Sequence, residues 1–229
     1  EGKQVQSMFS GIAGRYDLLN HVLSGGVDFY WWWRMARASG ARSGLRYLDV
    51  AAGTGDSSLA LAKRGAEVVS TDFTHAMLRL GPAKFAKKKP GIRVFASADA
   101  DAQRLPFKEG SFDGLTICYG IRNVEDRGAA YAEFLRVLKP GGRLTILEFS
   151  APVLPGLRGL YTWYSLKVLP RIGGWLSGDR SAYEYLPESI RQFPDQKRLA
   201  AELEAAGFRE VAWTNLTGGI VALHRGMRP

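Results

Sequence analysis

At 229 residues, with 46% hydrophobic and 23% charged side chains, the chain has the size and composition of one globular domain with a sizeable core. No run of about 18 apolar residues is present, which excludes a transmembrane helix; the single cysteine, Cys118, excludes an internal disulfide and a cysteine-cluster metal site, so no metal is expected. The surplus of 31 basic over 22 acidic residues, +9 net, suits an anionic surface or simple solubility. Nucleic acid is not an expected partner: the longest basic run, Lys87-Lys88-Lys89, stands before Pro90 at a predicted helix end, without an aromatic-basic RNA signature. The start, Glu1-Gly2-Lys3-Gln4, has neither a methionine nor an apolar leader, so the native chain is expected to begin upstream and to work in a reducing cytoplasm.

In chain order, residues 5–39 read as helical, interrupted at Ser24-Gly25-Gly26, and give an N-terminal helical cap over 1–44. From Leu45 the pattern changes to short apolar strands alternating with amphipathic helices. Strands are predicted at 46–50, 67–71, 93–96, 114–118 and 143–149, with helices at 57–64, 75–88 and 127–138; Lys139-Pro140-Gly141-Gly142 stops the last. This alternation predicts a doubly wound α/β fold, a parallel sheet with helices on both faces. Residues 196–206, 210–214 and 220–224 read helix, strand, strand, with Gly218-Gly219 as a hairpin turn. One stretch breaks the pattern: residues 151–190, rich in proline, glycine and aromatics, are expected as a lid inserted within a single 1–229 domain.

Leu48-Asp49-Val50-Ala51-Ala52-Gly53-Thr54-Gly55-Asp56 joins the first strand to the first helix. Gly53 and Gly55 permit a tight turn and close backbone approach to a ligand. A dinucleotide loop would continue to a third glycine and place a pyrophosphate on the helix N-terminus. Here that position is Ser58, and Asp56 would repel phosphate. The loop suits a cationic ligand without phosphates, such as S-adenosylmethionine. Asp72, ending the second strand, is placed to accept hydrogen bonds from ribose hydroxyls. Asp101-Ala102 present a side-chain acceptor and a backbone amide to an adenine edge. Any one of these acids alone reads as a turn or cap residue; three in this order after successive strands read as a site.

Several blocks carry a wider likeness: Arg15-Tyr16-Asp17-Leu18-Leu19-Asn20, Gly120-Ile121-Arg122-Asn123-Val124, Arg136 to Arg143, Leu147-Glu148-Phe149-Ser150, Leu169 to Gly173, Tyr185 to Arg191 and Ala222 to Gly226. Through them the chain resembles the ubiquinone/menaquinone biosynthesis C-methyltransferase family over nearly its whole length. The resemblance implies a Rossmann-like class I S-adenosylmethionine-dependent methyltransferase fold. It implies cofactor contacts at Thr54, Asp72, Asp101, Ala102 and Cys118, and as acceptor a prenylated quinol, demethylmenaquinol first. The sequence departs from the family pattern at Cys118, often serine, and at Asp28, where many members have histidine.

Methylating a ring carbon requires the neighbouring hydroxyl to lose its proton, so a group that stabilises the phenolate or takes the proton is expected. Arg122, after the fourth strand, is the first candidate, its alternative role being an ion pair with Glu125 or Glu148. His21 is the second. Tyr164, Tyr185 and Arg191 are candidates for the acceptor side. His75 reads as a helix cap or surface residue, and His224 as a structural one. The aromatic insert and Phe29 to Trp33 offer apolar surface for a polyprenyl tail, with Arg34, Arg158, Lys167 and Arg171 placed for peripheral contact with lipid phosphates at the inner face of the membrane. At least one of Trp31-Trp32-Trp33 must face solvent, since consecutive residues on a helix do not share a side. Three readings compete: a methyltransferase for another small phenolic or lipid acceptor, a dinucleotide oxidoreductase, and a noncatalytic quinone or lipid carrier. Asp56 and Ser58 oppose the second, and Asp72 with Asp101 would be purposeless in the third.

Overall fold

The computed structural model describes residues 21, 24–81, 85, 94–168, 171 and 181–229. Residues 1–20 of the expected cap, with the Arg15 to Asn20 block, and Lys87-Lys88-Lys89 lie outside them. The described helices are α1 (Asp28–Ser39), α2 (Asp56–Ala62), α3 (His75–Leu78), α4 (Arg127–Val137), α5 (Pro155–Trp163), α6 (Ser181–Gln192) and α7 (Gln196–Ala206). The strands are β1 (Arg46–Val50), β2 (Glu67–Asp72), β3 (Val94–Asp99), β4 (Phe112–Cys118), β5 (Leu138–Phe149), β6 (Arg209–Leu216) and β7 (Val221–Met227). They form one sheet in the order β3-β2-β1-β4-β5-β7-β6. β7 runs antiparallel to both β5 and β6, and the other pairs are parallel. The order reverses between β1 and β4, and this is where open α/β sheets hold ligands.

The central strands are buried on both faces, as parallel strands covered by helices must be. On one face Leu48, Val50, Leu115, Ile117, Leu144 and Ile146 pack with Phe134 of α4 and Leu199 and Leu203 of α7. On the other, Tyr47, Val68, Cys118 and Leu147 pack with Trp31 and Met35 of α1 and Leu61 of α2. Side-chain caps fix the starts of α4 and α7: Asp126 accepts from Ala129 N and Asp195 from Arg198 N. Gly40 and Gly207, both left-handed, end α1 and α7.

Element boundaries differ from expectation where long-range pairing decides them. β5 begins at Leu138 rather than 143, because Leu138 pairs with Phe112 and the Pro-Gly-Gly turn is drawn into the sheet by the C-terminus. There Gly141 N donates to Arg228 O and Arg228 N to Gly142 O. The same pairing starts β4 two residues early. β3 extends to Asp99, which aligns with Asp72. The helix expected over 75–88 is described as α3 alone, His75–Leu78. The turn between β6 and β7 is a 3-10 turn at Thr217–Gly219 rather than a two-residue hairpin. The insert after β5 holds α5, a π-helical turn at Tyr164–Val168 and α6. Among the described residues no helix is long and apolar enough to cross a membrane.

Candidate active site

The loop after β1 is held from below by Asp49, which is fully buried. Its carboxylate accepts from Ser57, Ser58 and Thr116 hydroxyls at 2.6, 2.5 and 2.6 Å, tying β1 to α2 and β4. Burial pushes its pKa up, while the three hydroxyls pull it down. Above it, Ala51 and Tyr119 end β1 and β4 in left-handed conformations, at φ 52 and 55, which are rare for residues with a side chain. The two strand ends approach so closely that a Cβ on Gly120 would lie 2.4 Å from Ala51 Cβ.

Asp72 closes the loop. Its Oδ2 accepts from Gly53 N at 2.8 Å and its Oδ1 from Thr74 N at 2.7 Å. Burial raises its pKa, and the two amides oppose that rise. Each carboxylate oxygen keeps further acceptor capacity after one amide contact. Asp101 Oδ1 accepts from Gln103 N at 2.9 Å and Nε2 at 3.1 Å. Gln103 Oε1 in turn accepts from Asp126 N, which connects this corner to the start of α4.

These groups surround a cleft of about 980 Å³, counted to its open mouth, at the carboxyl ends of β1, β2 and β4. Of the residues expected at the cofactor, Gly53, Asp72, Asp101, Ala102 and Cys118 line this cleft, and Thr54 and Gly55 do not. Thr54 is buried beneath the loop. Gly55 serves a different partner: a Cβ there would fall 2.4 Å from the ring of Phe85, so the glycine accommodates an aromatic side chain. Burial, then the nearby Asp49 and Glu148 charges, raise the Cys118 pKa well above the usual thiol value, which keeps this wall neutral. Among the described residues, three carboxylates (Asp72, Asp101, Glu125) line the cleft, and no lysine or arginine does. That lining fits a cationic ligand without phosphates and rejects a pyrophosphate. Apolar Met77, Ala102 and Val124 offer flat contact for a base, so S-adenosylmethionine fits the residues present.

Arg122 follows the cleft wall but does not line it. Its Nη1 donates to Glu148 Oε1 at 2.6 Å and to Tyr119 O at 2.7 Å, and the two charged side chains are only 4% and 1% exposed. The ion-pair partner is therefore Glu148, not Glu125. Burial raises the Glu148 pKa, and the Arg122 charge opposes that rise. Tyr161 is near enough for the Arg122 charge to act on it, yet burial dominates and pushes its pKa up to about 12. Tyr185 donates to Asn123 Oδ1 at 3.0 Å, so α6 reaches the cleft through Asn123. Tyr164 is half-buried. Arg191 is exposed and pairs with Glu188 on its own helix, away from the cleft. His21 lies beside α1, with Nδ1 in contact with Asp28 Oδ2 and its ring stacked on Phe29. Ser24 donates to the other Asp28 oxygen at 2.9 Å. His75 is exposed and pairs with Asp99. His224 is buried, with Nε2 on Gln196 O.

Sequence reasoning missed Tyr119, Gln103 and Asn123, all cleft residues. Asn123 stands in the Gly120 to Val124 block, where attention to the charged Arg122 obscured its neighbour. Tyr119 ends a strand at the switch point, a position that itself was a signal.

The sequence matches the ubiE/COQ5 methyltransferase family over residues 1–228. It is 48% identical to the demethylmenaquinone methyltransferase of Streptomyces avermitilis over 225 residues, 98% of this chain and 94% of that protein. It is 44% identical to the ubiquinone/menaquinone biosynthesis C-methyltransferase UbiE of Idiomarina loihiensis, over 98% of this chain and 90% of that one. Among solved structures it resembles the [4+2]-cyclase SpnF, with a TM-score of 0.72 and 17% identity over 100% of this chain and 96% of the other. A SAM-dependent methyltransferase from Aquifex aeolicus superposes with a TM-score of 0.63 at 18% identity, over 86% and 88%. Those two likenesses establish the fold alone, and the name of the cyclase shows why fold does not fix reaction. The full-length family match decides it: the chain belongs to the ubiE/COQ5 methyltransferase family and is an S-adenosylmethionine-dependent methyltransferase.

Proposed function

We propose that the protein methylates a ring carbon of a prenylated quinol, demethylmenaquinol first, meeting that lipid as a peripheral protein at the inner face of the membrane. The carrying observation is the cleft that the described residues line with acids, beside the buried Arg122–Glu148 pair. The cleft suits a cationic donor, and the pair supplies a fixed guanidinium next to it. The names of the relatives support the acceptor.

Bound S-adenosylmethionine supplies an electrophilic methyl on a sulfonium. The chain's own part is alignment and exclusion of water. Asp72, through its remaining acceptor capacity, holds ribose hydroxyls; Asp101, Ala102 and Gln103 hold the adenine edge. Tyr185, Tyr161 and Tyr164 belong to the acceptor side, with the 151–190 insert acting as the lid. Arg122 lowers the cost of a phenolate on the acceptor ring, and Glu148 holds the guanidinium in place. His21, steadied through Nδ1 by Asp28, is the second candidate, with Nε2 as the nitrogen to take the proton.

The direct test is mass-spectrometric detection of labelled methyl transfer to a panel of reduced quinones. Demethylmenaquinol should gain one methyl on its ring; transfer only to other phenols overturns the acceptor assignment. Arg122→Lys and Arg122→Ala should lower single-turnover rates by about a hundred- to a thousandfold, Lys less than Ala, with cofactor affinity nearly kept. If folded variants react at the parental rate, Arg122 is a structural residue and His21 takes its place as the candidate.

A further inference from the structure

α1 and α5 each turn exposed apolar side chains outward. α1 buries Trp31, Met35, Ala36 and Ser39 and turns Phe29, Tyr30 and Trp33 outward, 55%, 43% and 52% exposed. Two arginines lie on those rings: Arg34 is 5.7 Å from the Tyr30 centroid and Arg37 5.6 Å from that of Trp33. α5 turns Tyr161 inward, half-buried near the Arg122 charge, while Leu154, Leu160 and Trp163 at or beside it are 55%, 60% and 58% exposed. The two helices meet the same turn. Trp31 Nε1 donates to Thr217 Oγ1 at 2.8 Å, and the next residue, Gly218, abuts Leu157, whose methyl would lie 2.3 Å from a Cβ there. Both helices flank the carboxyl edge of the sheet where the cleft opens. α5 follows the end of β5, and Trp32 of α1 packs edge-on against the cleft residue Tyr119, at 5.4 Å between centroids.

Within the two segments the exposed charge is of one sign. Between residues 21 and 45 the one acid is Asp28, buried against His21 and Ser24, whereas Arg34, Arg37 and Arg42 are basic. Residues 150–168 contain no aspartate or glutamate and hold Arg158 and Lys167. Exposed leucines and tryptophans fringed by cations, on a chain of net charge +9, complement an anionic bilayer: apolar side chains enter below the headgroups, tryptophan and tyrosine sit at their depth, and arginine meets phosphate. A large apolar patch on a monomer otherwise marks a protein partner, but the basic fringe of α1 and α5 finds no acidic complement in a second copy of the same two helices.

We infer that the α1–α5 face is the membrane-docking surface, that its partner is anionic phospholipid, and that docking brings the mouth of the cleft to the bilayer. The inference rests on the reading above that the acceptor is dissolved in the membrane. Its test needs no acceptor. The full chain is co-sedimented with vesicles of phosphatidylcholine alone and with about 30 mol % phosphatidylglycerol, at low and high salt. It should pellet with the anionic vesicles and be released by salt. Trp33→Ala with Leu160→Ala should weaken partitioning roughly tenfold or more, and Arg37→Glu with Arg158→Glu should abolish the preference for anionic lipid. Both variants should retain the parental melting temperature and S-adenosylmethionine affinity. The inference fails if the parent stays in the supernatant or if the folded variants partition like it. It also fails if the parent self-associates without vesicles and the tryptophan variant does not, since the face is then an interface between copies. A parallel assay of the parent with a short-chain quinol in solution addresses the acceptor alone. If that assay fails while vesicle binding persists, the error lies in the proposed function and not in the surface.

Discussion

At the floor of the cleft two strand ends are separated by a missing methyl group. Gly120 has φ −116, so its backbone accepts any side chain, and the obstacle to one is Ala51 Cβ at 2.4 Å. Gly120→Ala should therefore cost about 1–3 kcal/mol as an overpacked contact. Adding Ala51→Gly should restore most of it, because that change removes the clashing atom and relieves a left-handed alanine. Urea unfolding of the two single variants and the double variant measures the coupling, and additive losses would show that the contact is not the cause. Asp72→Ala should weaken S-adenosylmethionine binding roughly ten- to 150-fold, about 1.5–3 kcal/mol for charge-assisted hydrogen bonds; calorimetry on the folded variant with unchanged affinity would remove Asp72 from the site. Asp72 and Asp101 were legible beforehand because a strand end followed by an acid is a local pattern. The partner of Arg122 was not: Glu125 and Glu148 are equally charged, and only the β4–β5 register brings the second within 2.6 Å. Gly55 was legible as a glycine that must be one, but its occupant Phe85 is thirty positions away and left no trace nearby.

Among the elements, β1, α2 and β4 are joined by one buried side chain. Asp49→Ala removes the shared acceptor of three hydroxyls and should destabilise the protein by about 2–4 kcal/mol. Asp49→Asn should cost less, since burial already disfavours the charged carboxylate and the hydroxyls can rotate to accept from an amide. Equal losses in chemical denaturation would show that negative charge itself matters there. The sequence made the strand-helix alternation plain because each element carries its own periodicity. Boundaries set by partners were less plain. Leu138 to Gly142 look like a helix stop and a turn, and they become strand because Phe112 and the C-terminal Arg228 pair with them. α1 shows the same division of labour: its inner stripe follows from helical spacing, while the choice of Trp33 as the solvent-facing tryptophan depends on where the sheet lies.

For the whole molecule, acid sensitivity has an identifiable source in His224. The ring is buried, Nε2–H donates to Gln196 O, and Nδ1 has no partner among the described residues. Burial lowers its pKa below the ordinary 6.5, with the Gln196 carbonyl opposing. The unfolded chain thus binds the proton first, so this contribution to stability is complete above about 6.5 and is lost as pH falls through that value toward the lowered folded one. Urea midpoints taken from about pH 7.5 down to 5 should drop more steeply for the parent than for His224→Gln. Parallel curves would acquit His224. The strand that carries this histidine has a second consequence, for biogenesis. β7 follows β6 in the chain but lies inside the sheet, between β5 and β6, and among the described residues β6 has no other neighbour there. Until Val221–Met227 leave the ribosome, β5 presents an open row of backbone donors and acceptors, and β6 lacks the strand it pairs with. Completion of the sheet therefore waits for Val221–Met227, and the interval between synthesis of Phe149 and emergence of Met227 is when the nascent chain is most open to aggregation and most dependent on chaperones.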